Sequence, residues 1–287
     1  MTDKIVIIPG CSDLNRGDQA LTWETKRLAE DCGLKGDFYL TTEKNEPVSQ
    51  SIGYGLNIIT PIIEHPSRAF SNKENIKYGK SLKTKWGTIA LVDFITSLFY
   101  FNKLTRKLIK RFLKKEKRNS IEIMENATAF FMKGGGLIQS YGGVTSTYSA
   151  YFWVYHLLLA KALKKPIYVM PNSFGPFKGP LVKSIVRKAL KGCTVVTSRE
   201  TLSQKMVQEE LNISIDNFPD LAFYLPNAKL DRKEIFEQFD LPLDRKLVAM
   251  TMRPHRFPNS KTPKQDYELF KNEIAKFIEW LYEKGYM

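Results

Sequence analysis

The chain has 287 residues, enough for two domains or one large one with a sizeable core. Its three cysteines (Cys11, Cys32, Cys193) lie far apart with no CxxC pair, which argues against a disulfide framework or a zinc knuckle and fits a reducing, cytoplasmic setting. The formal charge of +14 calls for an acidic partner, and much of it is local: between Lys103 and Arg118 only Glu116 opposes a dense series of lysines and arginines.

In chain order, Lys4 to Ile8 reads as a buried strand closed by Pro9 and Gly10; its apolar run is too short for a signal peptide. A polar loop with Asn15, Gly17 and Asp18 follows, then an amphipathic helix from about Gln19 to Asp31, with Asp18 placed as its N-cap. Strand, polar loop and helix in that order offer a helix N-terminus to an anion. Phe38 to Thr41 and Asn57 to Ile63 have strand-like composition. From Pro66 to Lys85 the pattern dissolves into polar and basic residues, and Trp86 to Phe101 is strongly apolar. The next stretch sets Leu104, Leu108, Ile109, Phe112 and Leu113 at helical spacing against lysines and arginines. Residues 86–118 thus read either as a contact with an anionic membrane surface or as a helical insertion with a solvated basic face. No apolar run is long enough to span a bilayer.

Thr128 to Met132 is another short buried strand, broken at Lys133 and followed by Gly134, Gly135 and Gly136. Glycines at a strand end expose main-chain N–H groups that a Cβ would shield; a tight loop without a ligand is the alternative. Thr147 to Leu163 predicts a long apolar helix in which His156 is a core or groove residue. Ile167 to Met170 is a strand, leading into the loop PNSFGPF. A helix (Lys178 to Leu190), a strand (Thr194 to Thr197), a helix opened by Ser198, Arg199 and Glu200, and a short strand (Ile213 to Asn217) follow. Strands alternating with helices at this spacing predict an α/β fold with a doubly wound parallel sheet. Its domain is expected over 1–225, with a helical basic insertion at about 66–120. Residues 226–245 read as a crossing segment. Residues 246–287 read as the start of a second, truncated domain, with a buried strand at Lys246 to Met252 and a helix at Lys264 to Glu283.

Four turns at strand ends share a chemistry suited to carboxylate or phosphate: Asn15 to Asp18, Gly134 to Gly136, Ser173 to Pro176 with Gly175, and Ser198 to Glu200. A fifth piece carries Arg253 and His255. In this order LNRGDQAL, FFMKGGGLIQ, PNSFGPF, SRETLSQKM and PDLAF resemble the polysaccharide pyruvyl transferase family. The resemblance implies a B-type glycosyltransferase-like fold of two Rossmann-like domains. It also implies transfer of the pyruvyl group of phosphoenolpyruvate onto a saccharide or lipid-linked oligosaccharide, forming a ketal, with no cofactor. The family's Arg-Leu-His type motif is not found after residue 245; Arg253-Pro254-His255 is a different arrangement. Such a donor needs two cationic or N–H-rich anchors, for which Arg199 and Arg253 are candidates. Asp18, Glu200 and His255 have side chains suited to a general acid, and equally to a helix cap, a first-turn dipole partner and a surface loop residue. Asn15, Gly17, Gly134, Gly135, Gly136, Ser173, Gly175 and Ser198 complete the expected binding set. A sugar-nucleotide glycosyltransferase of the same fold and a catalytically silent binding protein are the alternatives. No nucleic-acid module or metal constellation is visible, His65, His156 and His255 being isolated from other ligand types.

Overall fold

A computed structural model describes residues 2–42, 46–66, 80–227, 229–252, 257 and 260–287, leaving aside the side chains of 80–82. The chain divides into two units, Met1–Leu225 and Pro226–Met287. The expected site residues Arg253 and His255 lie outside the described residues.

The first unit begins with β1 (Asp3–Ile8), α1 (Arg16–Asp31), β2 (Gly36–Thr41), α2 (Ser49–Gly53) and β3 (Leu56–Ile59). Three helices follow, α3 (Lys80–Leu98), α4 (Lys103–Lys110) and α5 (Lys115–Glu125), then β4 (Ala129–Met132), β5 (Gly135–Tyr141) and α6 (Ser146–Ala162). It ends with β6 (Ile167–Lys178), α7 (Val182–Leu190), β7 (Val195–Ser198), α8 (Thr201–Leu211), β8 (Asp216–Asn217) and a 3-10 turn at Leu221–Tyr224. Among the described residues the strands form one eight-stranded sheet, ordered β3-β2-β1-β4-β6-β7-β8, with β5 also beside β6. Every ladder in it is parallel.

A central parallel strand is covered on both faces, so a near-continuous apolar run is what it requires. In β1 the alternating side chains serve two cores. Val6 and Ile8 join Phe130, Met132 and Val169 under α5 and α6, while Ile5 and Ile7 join Phe38, Leu40 and Phe131 on the side of Trp23 and Ala29 of α1. Helices on both faces make the sheet doubly wound.

Two expected loops are strands. Gly135 pairs with Asn172 and Ile138 with Phe174, so the glycine triplet enters β5 and PNSFGPF lies within β6. The cause is the length of β6: it pairs with β4 through Ile167–Val169 and with β5 further on, so β4 and β5 act as one strand interrupted at Lys133–Gly134. Proline cannot donate to a ladder, and the register shifts where Pro171 and Pro176 occur. The expected strand at Asn57 to Ile63 is only β3. The apolar set of the basic segment also divides: Ile109 and Leu113 pack on the core, whereas Leu104, Leu108 and Phe112 are exposed.

The second unit contains α9 (Arg232–Gln238) and α10 (Pro263–Glu283). The expected strand at Lys246 to Met252 is a single parallel bridge between Lys246 and Tyr286. Among the described residues of this unit, those around Tyr286 and Met287 offer it main-chain partners: Met287 N donates to Lys246 O and Val248 N to Met287 O. A strand with so few partners cannot extend.

Candidate active site

Chain order reverses between β1 and β4, and in a doubly wound sheet the crevice above such a reversal is where ligands bind. A cavity of about 720 Å³ opens there. Pro9, Gly10 and Cys11 line it where β1 ends, Thr41 and Thr42 where β2 ends, and Asn15, Asp18 and Lys133 along its polar side. Ile63, His65, Phe152, Trp153 and His156 form an aromatic and apolar wall. The His65 ring meets Phe152 edge-on at 5.1 Å and Trp86 at 5.9 Å.

Asn15, not Asp18, is the N-cap of α1. Its Oδ1 accepts from Asp18 N (3.2 Å), while its Nδ2 donates to Asp18 Oδ2 (2.6 Å), a reciprocal pair that suits Asn at the cap and Asp in the first turn. This leaves Asp18 Oδ1 to receive Lys133 Nζ. Lys133 is 1% exposed and Asp18 28%. The buried ammonium and the more exposed carboxylate thus border the cavity as a pair. Lys133 O accepts from Asn172 Nδ2 (3.0 Å), tying the break between β4 and β5 to β6. Gly134 fits closely at that break: a Cβ there would stand 3.0 Å from Pro171 O.

Asp13 fixes the loop from below. Its buried carboxylate accepts from Ser51 Oγ (2.6 Å), Gln19 Nε2 (2.8 Å) and Gln50 N (2.8 Å), joining the start of α2 to α1. Burial raises its pKa, but the bonds from Ser51, Gln19 and the two amides outweigh that and hold it below the usual carboxylate range. Asp13 and Lys133 were not among the expected site residues.

His156 of α6 is 7% exposed, and its Nε2 is buried without a hydrogen-bond partner among the described residues. Burial, aided by the charge of Lys117, pushes its pKa down to about 4. The folded protein thus keeps His156 neutral, whereas the unfolded chain protonates it near ~6.5. Its contribution is intact above that value and is lost as pH falls from ~6.5 toward 4, on the order of 3 kcal/mol in all. Urea midpoints measured against pH should fall through this window, and His156→Leu should flatten that limb; an unchanged slope in the variant would assign the acid loss elsewhere.

A second polar group lies farther along the same rim. Arg199 Nε donates to Ser173 Oγ (2.7 Å) and its NH1 to Asp220 Oδ2 (2.6 Å). Ser173 Oγ donates to Glu200 Oε2 (3.0 Å), which also lies 3.4 Å from Arg199 Nε. A Cβ on Gly136 would stand 3.7 Å from both the Arg199 guanidinium and Ser173 Cβ. Gly135, Gly136, Ser173, Arg199 and Glu200 therefore share one rim, while Asn15, Gly17 and Asp18 belong to the switch-point loop. Ser198 does not join them: it is buried, with Oγ bonded to Asn217 Oδ1 (3.0 Å) at β8. Gly175 serves packing, since at φ +75° a Cβ would meet Met206 Sδ of α8 at 2.0 Å.

Among the described residues no group of three or more His, Cys, Asp or Glu side chains could hold a metal ion, and no helix is long and apolar enough to cross a membrane. No curated protein matches the chain. The family model for polysaccharide pyruvyl transferase matches residues 15–287, and the chain belongs to that transferase family.

Proposed function

We propose that the protein transfers the pyruvyl group of phosphoenolpyruvate onto a sugar of a surface polysaccharide or its lipid-linked precursor. The cavity above the β1–β4 reversal is the observation that carries this reading. The aromatic part of its lining suits the C–H face of a sugar ring, and Asn15, Asp18, Thr41 and Thr42 offer polar groups to hydroxyls.

In the reaction a proton goes to the methylene carbon of the donor, and an acceptor hydroxyl oxygen bonds the adjacent carbon. That hydroxyl loses its proton, the carbon–oxygen bond to phosphate breaks, and a second hydroxyl bonds the same carbon to close the ketal, its proton leaving with the phosphate. Asp18, held by Lys133 and Asn15, takes the hydroxyl proton. The donor brings a carboxylate and a phosphate. Arg199 serves one of them from the rim, and Arg253 and His255 are the remaining donor anchor and acid candidate, with Glu200 beside Arg199.

The test incubates the full chain with phosphoenolpyruvate and a panel of saccharide and pyrophosphate-linked acceptors, reading inorganic phosphate release and ketal formation by mass. Both should appear together. Nucleotide release from a sugar nucleotide instead would establish the glycosyltransferase alternative, and ligand binding without turnover the silent one. Arg199→Ala should lower phosphate release roughly 100-fold or more, the scale for losing one preorganised charge stabiliser; unchanged turnover removes Arg199 from the site.

A further inference from the structure

The inner sides of α3 and α4 are fully occupied. Asp93 of α3 accepts from Tyr148 OH, and Ser97 Oγ and Tyr151 OH share a hydrogen bond (2.7 Å). Phe94 packs edge-on against the Tyr151 ring at 4.9 Å. On α4, Arg106 Nε donates to Glu125 Oε1 (2.7 Å), and Lys110 Nζ to Glu125 Oε2 (2.6 Å). Two cations of the basic run thus share the single carboxylate of Glu125 and turn toward the core.

The outer side is different. Leu104 and Leu108 of α4 and Phe112 in the turn after it recur every four residues, and Leu104 and Phe112 are 73% and 88% exposed. Leu91, Ile95 and Leu98 form a similar exposed stripe on α3. The two helices are joined by the short link 99–102, closed by a hydrogen bond from Thr105 Oγ1 to Phe99 O (2.6 Å). Lys103, Lys107 and Arg111 at α4, and Lys114, Lys115 and Arg118 at the start of α5, are exposed, and none has a carboxylate partner within salt-bridge distance among the described residues. Large apolar side chains flanked by unneutralised cations combine the two terms by which a helix lies in a bilayer interface: insertion of apolar groups and attraction to anionic headgroups.

We propose that the outer side of α4, with the adjoining end of α3, docks on an anionic lipid bilayer surface. Charge selects this occupant over a second copy of the chain, because mating two such faces would oppose six like charges on each side. The eight-residue α4 is far too short to span a bilayer and lies in its plane. The inference does not rest on the proposed chemistry.

Sedimentation of the full chain with vesicles tests it. Binding is expected to vesicles containing phosphatidylglycerol, to weaken at high salt, and to be absent with phosphatidylcholine alone. The triple variant Leu104→Ser, Leu108→Ser, Phe112→Ser should bind at least tenfold more weakly while keeping the wild-type melting temperature, because these side chains contribute no core. Lys103→Glu with Lys107→Glu and Arg111→Glu should abolish anionic-vesicle binding. Failure to bind anionic vesicles, wild-type binding by the serine variant, or a dimer that the serine variant dissolves without any vesicle affinity would each overturn the proposal.

Discussion

Asp18→Asn should destabilise the protein by about 3–5 kcal/mol, the cost of leaving a buried charge without its counter-ion. Its partner ammonium, Lys133, is 1% exposed and has no other side-chain acceptor among the described residues. The reverse deletion is not equivalent. Lys133→Met keeps most of the volume and strands only Asp18, whose carboxylate borders the cavity and can be hydrated. About 1 kcal/mol is expected there. The double variant should then resemble Lys133→Met, well short of the sum of the single losses. In thermal unfolding the asparagine variant should melt roughly 10 °C lower, at about 2–4 °C per kcal/mol for a unit of this size. Equal and additive single losses would show that the pair is not coupled as the structure has it. Turnover should fall in both single variants, because each leaves position 18 without an oriented carboxylate.

Gly10→Ala should be more severe. A Cβ at this position would stand 1.5 Å from the Thr41 carbonyl oxygen and 2.4 Å from its carbon. Neither side can give way easily: Gly10 lies two residues beyond β1, and Thr41 ends β2, which is laddered to β1 through Ile7 and Leu40 and to β3 through Ile59. A loss above about 5 kcal/mol is expected, seen as collapse of soluble yield or a large fall in melting temperature. Gly87→Ala is the control. It sits in α3 with no atom within 4 Å of an added Cβ, and should gain about 0.5–1 kcal/mol from helix propensity. A normal melting temperature for Gly10→Ala would contradict the close approach of the two strand ends that shapes the cavity floor.

The sheet was legible because its signal is local. KIVII, FFM and IYVM are apolar on both alternations, which only a strand covered on both faces requires. Strand ends and helix starts then placed Asn15, Asp18, Ser173 and Arg199 along one edge. What failed depended on partners distant in the chain. A lysine after a short apolar strand reads as the point where that strand meets water; Lys133 is instead buried because Asp18, 115 residues earlier, receives it. Proline and glycine made PNSFGPF read as a loop, and only the continued presence of β5 beside it keeps this segment a strand. Leu104, Leu108, Ile109, Phe112 and Leu113 read as one helical face, but the helix stops at Lys110 and only Ile109 and Leu113 meet the core. Which of them face inward is set by the core they meet, and periodicity does not contain that information.

The pairing of Arg199 also has a consequence for how a ligand arrives. Its guanidinium already meets Asp220 through NH1 and Glu200 beside Nε, so an incoming anion competes with two resident carboxylates for its charge. Affinity at this rim is then the difference between two similar attractions, which favours a dianion able to outcompete a single negative charge. Asp220 is not idle: its Oδ1 also accepts from Ala222 N at the head of the final turn, and the Tyr224 carbonyl at the other end of that turn accepts from Arg27 NH2 of α1 (2.5 Å). Arg199 is thus joined through Asp220 to the turn that closes the first unit at Leu225, and Arg199→Lys, which cannot keep both contacts, should loosen that turn as well as weaken the rim.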